Sequence, residues 1–398
     1  MSLPCSSSSS SSVKQALAGG EHSLVLSKDG KVFSAGACGL GWCRNLPLVP
    51  SLFSWRYVKM PEKITSIYPS YYHNLAITEK GKVFSWGCGT FVDGKNDGCI
   101  PAMGIYNTSD LGEDPREVLL PTRASQISGG AYHSAILGED GKLYTFGAGQ
   151  LGQLGRQTTN RAETDSSGLP VDASPRPVEG MDGKHISSIS SGFYNTFAVT
   201  TTGELYCTGE NQNEQCGKQD GVKNLKKMKV VEELKGNKVV RDAKGGYCHT
   251  LILTKDGKVF SMGCGDDGQR GDGQEGGTER NGVTQVLLPN ENGAVKAVAA
   301  GANHSLLLTE NGSVYAFGSN EYGQCGAQSG ENFTSPTRMD LPRPITSISA
   351  GYAHSVLKEE DGVIHVCGLN DSGQLGLGKQ SGDVSCPRQI SFKQKEVA

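Results

Sequence analysis

Residues 345–368 read ITSISAGYAHSVLKEEDGVIHVCG, and this stretch holds one complete copy of the pattern that decides the fold. Alternating side chains over 345–350, 354–357 and 363–366 predict three short strands. Asp361-Gly362 predicts the hairpin turn between the last two, because glycine adopts a positive φ at little cost. The stretch therefore predicts a small antiparallel sheet with glycine-rich turns.

The same pattern returns seven times along the chain, at a period of about 50 residues. Each copy has a histidine, replaced by asparagine in the fourth copy, then a glycine eight residues later, a ring three further on and a last glycine three beyond that. The histidine position is occupied by His22, His73, His133, Asn195, His249, His304 and His354. One such sheet is not stable alone, so its neighbours must cover its faces. The repeats predict an all-β, seven-bladed β-propeller of four-stranded antiparallel blades.

The ends of the chain indicate how the ring closes. The first repeat starts at about Val13, and residues 387–390 form an extra strand after the last repeat. We expect these N- and C-terminal strands to pair in one blade, which removes an exposed sheet edge. Residues 13–398 are then one propeller domain, and residues 1–12 are a serine-rich tail that we expect to be disordered.

Composition narrows the functional classes. The chain of 398 residues has a net charge of −3, and no apolar run approaches the roughly 20 residues that span a membrane. Residues 1–12 lack the features of a signal peptide, and Lys14 is the only basic residue among the first fifteen, which does not favour chromatin binding through a basic tail. The twelve cysteines include no Cys-x-x-Cys, so we expect free thiols in an intracellular protein and no structural zinc.

Three motifs invite a chemical interpretation. The repeated histidines lie in different blades, so we expect them to pack and to bond to neighbouring backbone. Residues 147–152 match the dinucleotide pattern G-x-G-x-x-G, but no helix follows them. Residues 218–238 hold seven lysines, which indicate either a solvated, helical insertion or a contact for an acidic partner. With no P-loop and no nucleophile elbow, the sequence predicts no catalytic residue, no metal and no cofactor.

The spacing and the ring positions resemble the regulator of chromosome condensation family over residues 13–392. WD-repeat and kelch propellers are disfavoured because their signature residues are absent. The resemblance implies a seven-bladed propeller that exchanges guanine nucleotide on the small GTPase Ran. In that exchange factor one blade carries a long insertion, the β-wedge, and here Trp86-Gly87 is followed by residues 88–98, CGTFVDGKNDG. Residues 192–198, where Asn195 replaces the histidine, also resemble the exchange factor.

The same resemblance implies where a partner binds. The turns before the repeat histidine and the loops after the last glycine fall on one face of the ring. This face is expected to carry Tyr71, Tyr132, Tyr194, Asn303, Phe91, Asp93, Lys95, Asn96 and Asp97. Exposed aromatic and charged side chains on a rigid scaffold are typical of a protein-binding site. The family's exchange factor has acidic residues at the positions of Tyr71 and Tyr132, so this chain departs from it there.

Two functional hypotheses follow. The first is a guanine nucleotide exchange factor for a Ran-like GTPase, acting as a monomer without covalent chemistry, in the nucleus. The alternative is a non-catalytic scaffold for other proteins, in the cytoplasm, since one fold serves many functions. A plant-type ultraviolet-B photoreceptor is rejected, because the chain has only three tryptophans and Trp86 belongs to the repeat core.

Overall fold

The computed structural model describes residues 13–37, 54–87, 114–157, 163–164, 170–236, 238–274, 282–289, 293–378, 382–390 and 392. These residues form seven antiparallel sheets, each with its strands paired in chain order from the centre outwards, apart from a short extra strand in the third sheet. The predicted seven-bladed β-propeller is therefore confirmed. Within the described ranges no helix is long and apolar enough to cross a membrane.

Four strands build each blade. Blade one comprises β1 (Val13–Ala18), β2 (His22–Ser27), β3 (Val32–Gly36) and β4 (Arg56–Val58). Blade two comprises β5 (Ile64–Pro69), β6 (His73–Thr78), β7 (Val83–Gly87) and β8 (Arg116–Val118). Blade three comprises β9 (Ala124–Gly129), β10 (His133–Gly138), β11 (Leu143–Ala148), the added β12 (Glu163–Thr164) and β13 (Pro170–Pro177). Blades four and five comprise β14 (Ile186–Ser191), β15 (Asn195–Thr200), β16 (Leu205–Glu210) and β17 (Asn224–Val230); and β18 (Val240–Gly245), β19 (His249–Thr254), β20 (Val259–Gly263) and β21 (Thr284–Val286). Blades six and seven comprise β22 (Val295–Ala300), β23 (His304–Thr309), β24 (Val314–Gly318) and β25 (Phe333–Arg338); and β26 (Ile345–Ala350), β27 (His354–Glu359), β28 (Ile364–Gly368) and β29 (Val384–Ile390).

The repeat spacing fixes the register of the two middle strands. His304 lies opposite Gly318, and the same pairing of histidine position and last glycine recurs in all seven blades. Gly318 has a φ of 98°, and a Cβ there would lie 2.4 Å from the carbonyl oxygen of Asn303. A side chain at this position would clash with backbone, which explains why the glycine recurs.

The ends of the chain meet, but they do not pair in one blade as the sequence suggested. Strand β1 belongs to the first sheet and β29 to the seventh, and each sheet has its own four strands. The ring closes through the faces of these two sheets: Val13, Ala18 and Ile390 share one apolar core. Closure therefore joins two complete blades, through this apolar core and through hydrogen bonds such as that from Tyr352 N to Gly19 O at 3.1 Å.

Six histidines form a girdle of hydrogen bonds between blades. Each imidazole is buried, and its Nε2 bonds to a side chain of the next blade at 2.6–3.1 Å. The pairs are His22–Asn74, His73–Ser134, His133–Thr196, His249–Ser305, His304–Ser355 and His354–Ser23. The predicted structural role is confirmed, but the expected backbone partners are wrong for Nε2, which bonds to side chains of the next blade.

The fourth blade interrupts this girdle. Asn195 is shorter than histidine, and its Nδ2 donates within its own blade to the carbonyl oxygen of Glu210 at 2.6 Å. Thr250, which occupies the acceptor position in blade five, donates to the carbonyl oxygen of Gln215 at 2.7 Å. Among the described residues, blades four and five thus lack the imidazole hydrogen bond that joins the other neighbouring blades.

The expectation of free thiols is wrong for four cysteines. The structure has disulfides Cys207–Cys216 and Cys248–Cys264, with Cα separations of 5.6 and 5.5 Å. In blade three, Thr145 and Leu154 occupy the positions of Cys207 and Cys216, and the Thr145 hydroxyl donates to the carbonyl oxygen of Leu154. The repeat therefore brings these two positions together, and cysteines placed there can form a disulfide. Of the cysteines within the described ranges, Cys325, Cys367 and Cys386 are free.

The lysine-rich segment is also not a helical insertion. Residues 224–230 are β17, the outer strand of blade four, and only Glu232–Leu234 forms a short 3-10 turn. Leu225 and Met228 are buried against the blade, and this packing overrides the helical propensity of the lysines.

Candidate protein-binding face

One face of the ring is built by the turns before the histidine position and by the loops after the last glycine. The two segments are held together by backbone: Ala148 N donates to Tyr132 O at 2.8 Å, and Ser319 N donates to Asn303 O at 2.8 Å. Because these bonds recur from blade to blade, the residues just before each histidine are presented on a rigid edge. We call this side of the molecule the turn face.

An aromatic cluster lies at the centre of the turn face. Its members are Tyr71, Tyr72, Tyr132, Phe193, Tyr194, Tyr247 and Tyr352. Each stands one or two residues before the histidine position of its blade. The ring of Tyr71, from blade two, lies 4.6 Å from that of Phe193 in blade four and 5.4 Å from that of Tyr352 in blade seven. The cluster therefore reaches across the axis of the propeller.

The cluster stands at one end of the central tunnel. A cavity of about 440 Å³ is lined by the innermost strand of every blade and by Tyr71, Phe193, Tyr247 and Tyr352. Tyr247 and Tyr352 remain 43% and 40% exposed, although large apolar surfaces are usually buried. Rigid aromatic rings that stay accessible are typical anchors of protein interfaces.

Burial affects the titration of Tyr194, in the aromatic cluster, and of the neighbouring Glu210. Burial raises the pKa of Tyr194 to about 12, with the neighbouring Tyr247 and Glu210 adding to the shift. The phenol is consequently neutral at every physiological pH. Burial also raises the pKa of the Glu210 carboxyl above its usual value. The Tyr194 hydroxyl can therefore donate a hydrogen bond to a partner.

An acidic arc lies on the turn face of blades five to seven. It consists of Asp266, Asp267, Glu321, Asp371 and Asp383, which follow the last glycine of their blades or precede the outer strand. Burial, together with the charges of Asp266 and Glu321, raises the pKa of Asp267. Burial raises the pKa of Asp383 in the same way, with Asp371 and Glu321 contributing. These carboxylates repel one another, and a basic surface would relieve the repulsion.

The residues predicted from the sequence divide into three groups. Tyr71, Tyr132 and Tyr194 lie in the aromatic cluster. Asn303 lies on the same face, half-buried in blade six, without being part of the cluster. Phe91, Asp93, Lys95, Asn96 and Asp97, the wedge-like loop, lie outside the described residues. Sequence reasoning missed Tyr72, Phe193, Tyr247 and Tyr352 as site residues, although they occupy the same two positions before the histidine.

Comparison with known proteins identifies the family. A model of the RCC1-like domain matches residues 94–398, and a model of the regulator of chromosome condensation (RCC1) repeat matches residues 64–91. The human regulator of chromosome condensation is 31% identical over 335 residues, which cover 82% of this chain and 77% of that protein. The chain therefore belongs to the RCC1 family of seven-bladed propellers.

Two further matches are a larger protein and a solved structure. The human E3 ubiquitin-protein ligase HERC2 is 30% identical over 350 residues, which are 85% of this chain but 6% of HERC2. The crystal structure of Prp20p from Saccharomyces cerevisiae, a protein studied for its binding to Gsp1p and histones, matches with a TM-score of 0.75. At 23% identity, over 93% of this chain and 88% of that one, the match shows the shared fold.

Proposed function

We propose that this protein is a guanine nucleotide exchange factor for a Ran-like small GTPase, acting as a monomer in the nucleus. The observation that carries the proposal is the aromatic cluster, an exposed anchor on the turn face of a propeller that resembles the human regulator of chromosome condensation over most of its length. The binding of Prp20p to Gsp1p supports a protein partner of this kind.

The mechanism needs no covalent step. A propeller that binds the nucleotide-free GTPase more tightly than the loaded form must, by linkage, weaken nucleotide binding by the same factor. The aromatic cluster would supply affinity, and the acidic arc would attract a basic surface of the GTPase. The loop 88–98 would supply the differential contact at the nucleotide, as the β-wedge of the family does. Because Tyr71 and Tyr132 replace acidic residues, the charge contacts would fall on the arc.

Nucleotide release tests the proposal. We expect micromolar protein to accelerate the release of labelled GDP from Ran by at least tenfold over the intrinsic rate, because the nucleotide-free complex is stabilised. The release is followed by fluorescence in excess unlabelled GDP. An unchanged rate, with the circular dichroism of a folded β protein, would exclude exchange on Ran.

The wedge assignment has its own test. Deleting residues 89–98 should abolish the acceleration while leaving the melting temperature within about 2 °C of the full chain. The control is deletion of residues 275–280, from the corresponding connection of blade five, which should retain exchange. If the 89–98 deletion keeps its activity, the loop is not the wedge.

A non-catalytic scaffold is the second candidate. The match to HERC2 covers a small part of a much larger protein, which shows the propeller used as one module among others. This function predicts tight binding of a partner to the turn face with no change in nucleotide release.

A further inference from the structure

The central tunnel contains a lysine that the proposed exchange function does not use. Among the described residues that line the tunnel cavity, Lys244 is the only one with a charged side chain. It lies on β18, the innermost strand of blade five, and pairs with Leu251, two residues after the histidine position. The same register position in the other blades is occupied by Leu17, Tyr68, Ser128, Ser190, Ala299 and Ser349.

Lys244 is held by a carboxylate of its own strand. Its Nζ lies 3.0 Å from Oδ1 and 2.9 Å from Oδ2 of Asp242, and Asp242 Oδ1 also accepts a hydrogen bond from the Ser188 hydroxyl at 3.1 Å. The Asp242 position is neutral in the other blades, where it is Gln15, Ser66, Gln126, Ser188, Ala297 and Ser347. An ion pair withdrawn from water is seldom more stable than neutral residues in its place. The six neutral pairs indicate that the fold does not require this charged one.

The Lys244 ammonium group is charged and accessible. Burial lowers the pKa of Lys244, but the charge of Asp242 and the hydrogen bond to it outweigh burial, so the pKa lies above its usual value. The side chain is 34% exposed, which means that solvent reaches it inside the tunnel. An ammonium group has three N–H donors. Among the described residues only the two Asp242 oxygens accept from it, so at least one donor is available to a ligand.

Aromatic rings close the tunnel near this lysine. Tyr247 lines the cavity and follows Lys244 by three residues, which is at most about 10 Å of chain. The rings of Tyr71 and Phe193 also line the cavity, and their centroids are 4.6 Å apart across the axis. A ligand that bonds to Lys244 therefore lies close to the inner side of the aromatic cluster.

Two buried hydroxyl groups add hydrogen-bonding capacity beneath the rings. Ser70 directly precedes Tyr71, and Ser191 lies two residues before Phe193. Both serines line the cavity and are 3% and 6% exposed. Their Oγ atoms have no hydrogen-bond partner among the described residues, although buried polar groups are normally bonded. The oxygen atoms of a ligand would satisfy them.

The dimensions and chemistry of the tunnel favour one class of ligand. Its volume of about 440 Å³ falls in the range of small-molecule sites, roughly 300–1,000 Å³. A single lysine that already faces a carboxylate suits a monoanion better than a phosphate. An ammonium–carboxylate hydrogen bond is charge-assisted, and aromatic rings pack well in edge-on or offset arrangements. These features together favour a carboxylate that carries an aromatic ring.

We propose that the central tunnel binds a small aromatic carboxylate, with Lys244 bonded to the carboxylate and the aromatic cluster packed against the ring. The ligand would lie on the inner side of the cluster, and a protein partner would lie on the outer side. The tunnel site therefore does not depend on the exchange function.

Calorimetric titration of the full chain with 2-naphthoate tests the site. We expect a Kd of about 0.1 mM, as the efficiency of small ligands allows. The neutral 2-naphthamide should bind at least tenfold more weakly, because it has the same shape without the charge that Lys244 recognises. The variant D242S/K244S copies Ser188 and Ser190 of blade four. It should bind 2-naphthoate at least tenfold more weakly than the full chain and should bind 2-naphthamide equally well.

A lysine elsewhere provides the control. Lys296 belongs to β22, another innermost strand, but does not line the cavity, so K296Q should bind 2-naphthoate as the full chain does. An equal loss in K296Q, or an unchanged Kd in a folded D242S/K244S, would overturn the proposal.

The comparison of probes on the full chain needs no variant. Absence of 2-naphthoate binding, or an equal Kd for the acid and the amide, would overturn the proposal. Equally strong competition by acetate would show a site for anions without a ring and would also overturn it. Because the titration contains no GTPase, a failure of exchange on Ran and a failure of the tunnel site are seen in different assays.

Discussion

The protein should lose most of its stability between pH 6.5 and pH 5, because six buried histidines are neutral in the fold. Burial lowers the pKa of His22 and His133 to about 4 and that of His304 to about 3, against 6.5 for an exposed imidazole. His73, His249 and His354 are lowered to about 3 as well, with burial again the first cause.

The sign follows from proton linkage. Between pH 4 and 6.5 the unfolded chain binds protons at these histidines and the folded chain does not, so stability falls as the pH falls. The contribution is fully present only about one pH unit above 6.5, where the unfolded histidines are neutral too. At pH 5.5 each histidine costs about 1.4 kcal/mol, and six cost about 8 kcal/mol, which is comparable to the whole stability of a typical domain. Asp267 and Asp383 have raised pKa values and oppose this trend weakly.

Urea unfolding at a series of pH values measures the effect. The slope of the unfolding free energy against pH should correspond to the uptake of about six protons near pH 5. A His304→Asn variant, which copies the residue found in blade four, should take up about five. A stability that is flat from pH 7 to pH 5 would contradict the buried, neutral girdle.

Truncation of the aromatic cluster should have the largest effect on partner binding. Tyr71 contacts Tyr72 at 4.4 Å between ring centroids, as well as Phe193 and Tyr352. Replacing it with alanine removes the central ring and leaves its neighbours unsupported. Central aromatic anchors contribute about 2–4 kcal/mol to binding, so Tyr71→Ala should weaken the nucleotide-free GTPase complex by 30-fold to 1000-fold.

Two variants separate binding from folding. Tyr352 is 40% exposed, so Tyr352→Ala should weaken binding by about tenfold with little change in melting temperature. Tyr57, on the outer strand of blade one, is 43% exposed, and Tyr57→Ala should bind normally. The affinities are measured by titration calorimetry with nucleotide-free GTPase. If Tyr57→Ala weakens the complex as much as Tyr352→Ala does, the cluster is not the interface.

The seven blades could be predicted from the sequence because the strongest signals are local. Asp361-Gly362 and the strands on either side of it lie within one short stretch, and the same spacing predicts the same strand register in each repeat. The strand at which each blade begins could not be predicted in this way. Whether Val13 begins a blade or completes one depends on the packing of β1 against β26, two strands at opposite ends of the chain.

The candidate site was only partly visible in the sequence for the same reason. Tyr247 and Tyr352 are isolated residues more than 100 positions apart, and only the ring brings them to the same cluster. Their shared position before the histidine was the available signal. The disulfide Cys207–Cys216 was missed because its two cysteines meet through the register of a strand and its turn. The roles of Phe91, Asp93, Lys95, Asn96 and Asp97 stay predictions.

The gap in the histidine girdle has a consequence for how the ring resists opening. Every pair of neighbouring blades is joined by the polypeptide itself, except blades seven and one. Hydrogen bonds such as His354–Ser23 and that from Tyr352 N to Gly19 O, together with a shared apolar core, hold these two sheets. The imidazole link is missing between blades four and five, where the covalent backbone crosses the interface. The missing polypeptide link and the missing imidazole bond thus occur between different pairs of blades. Each pair of neighbouring blades therefore has a polypeptide connection, an imidazole hydrogen bond or both, and no pair depends on apolar packing alone.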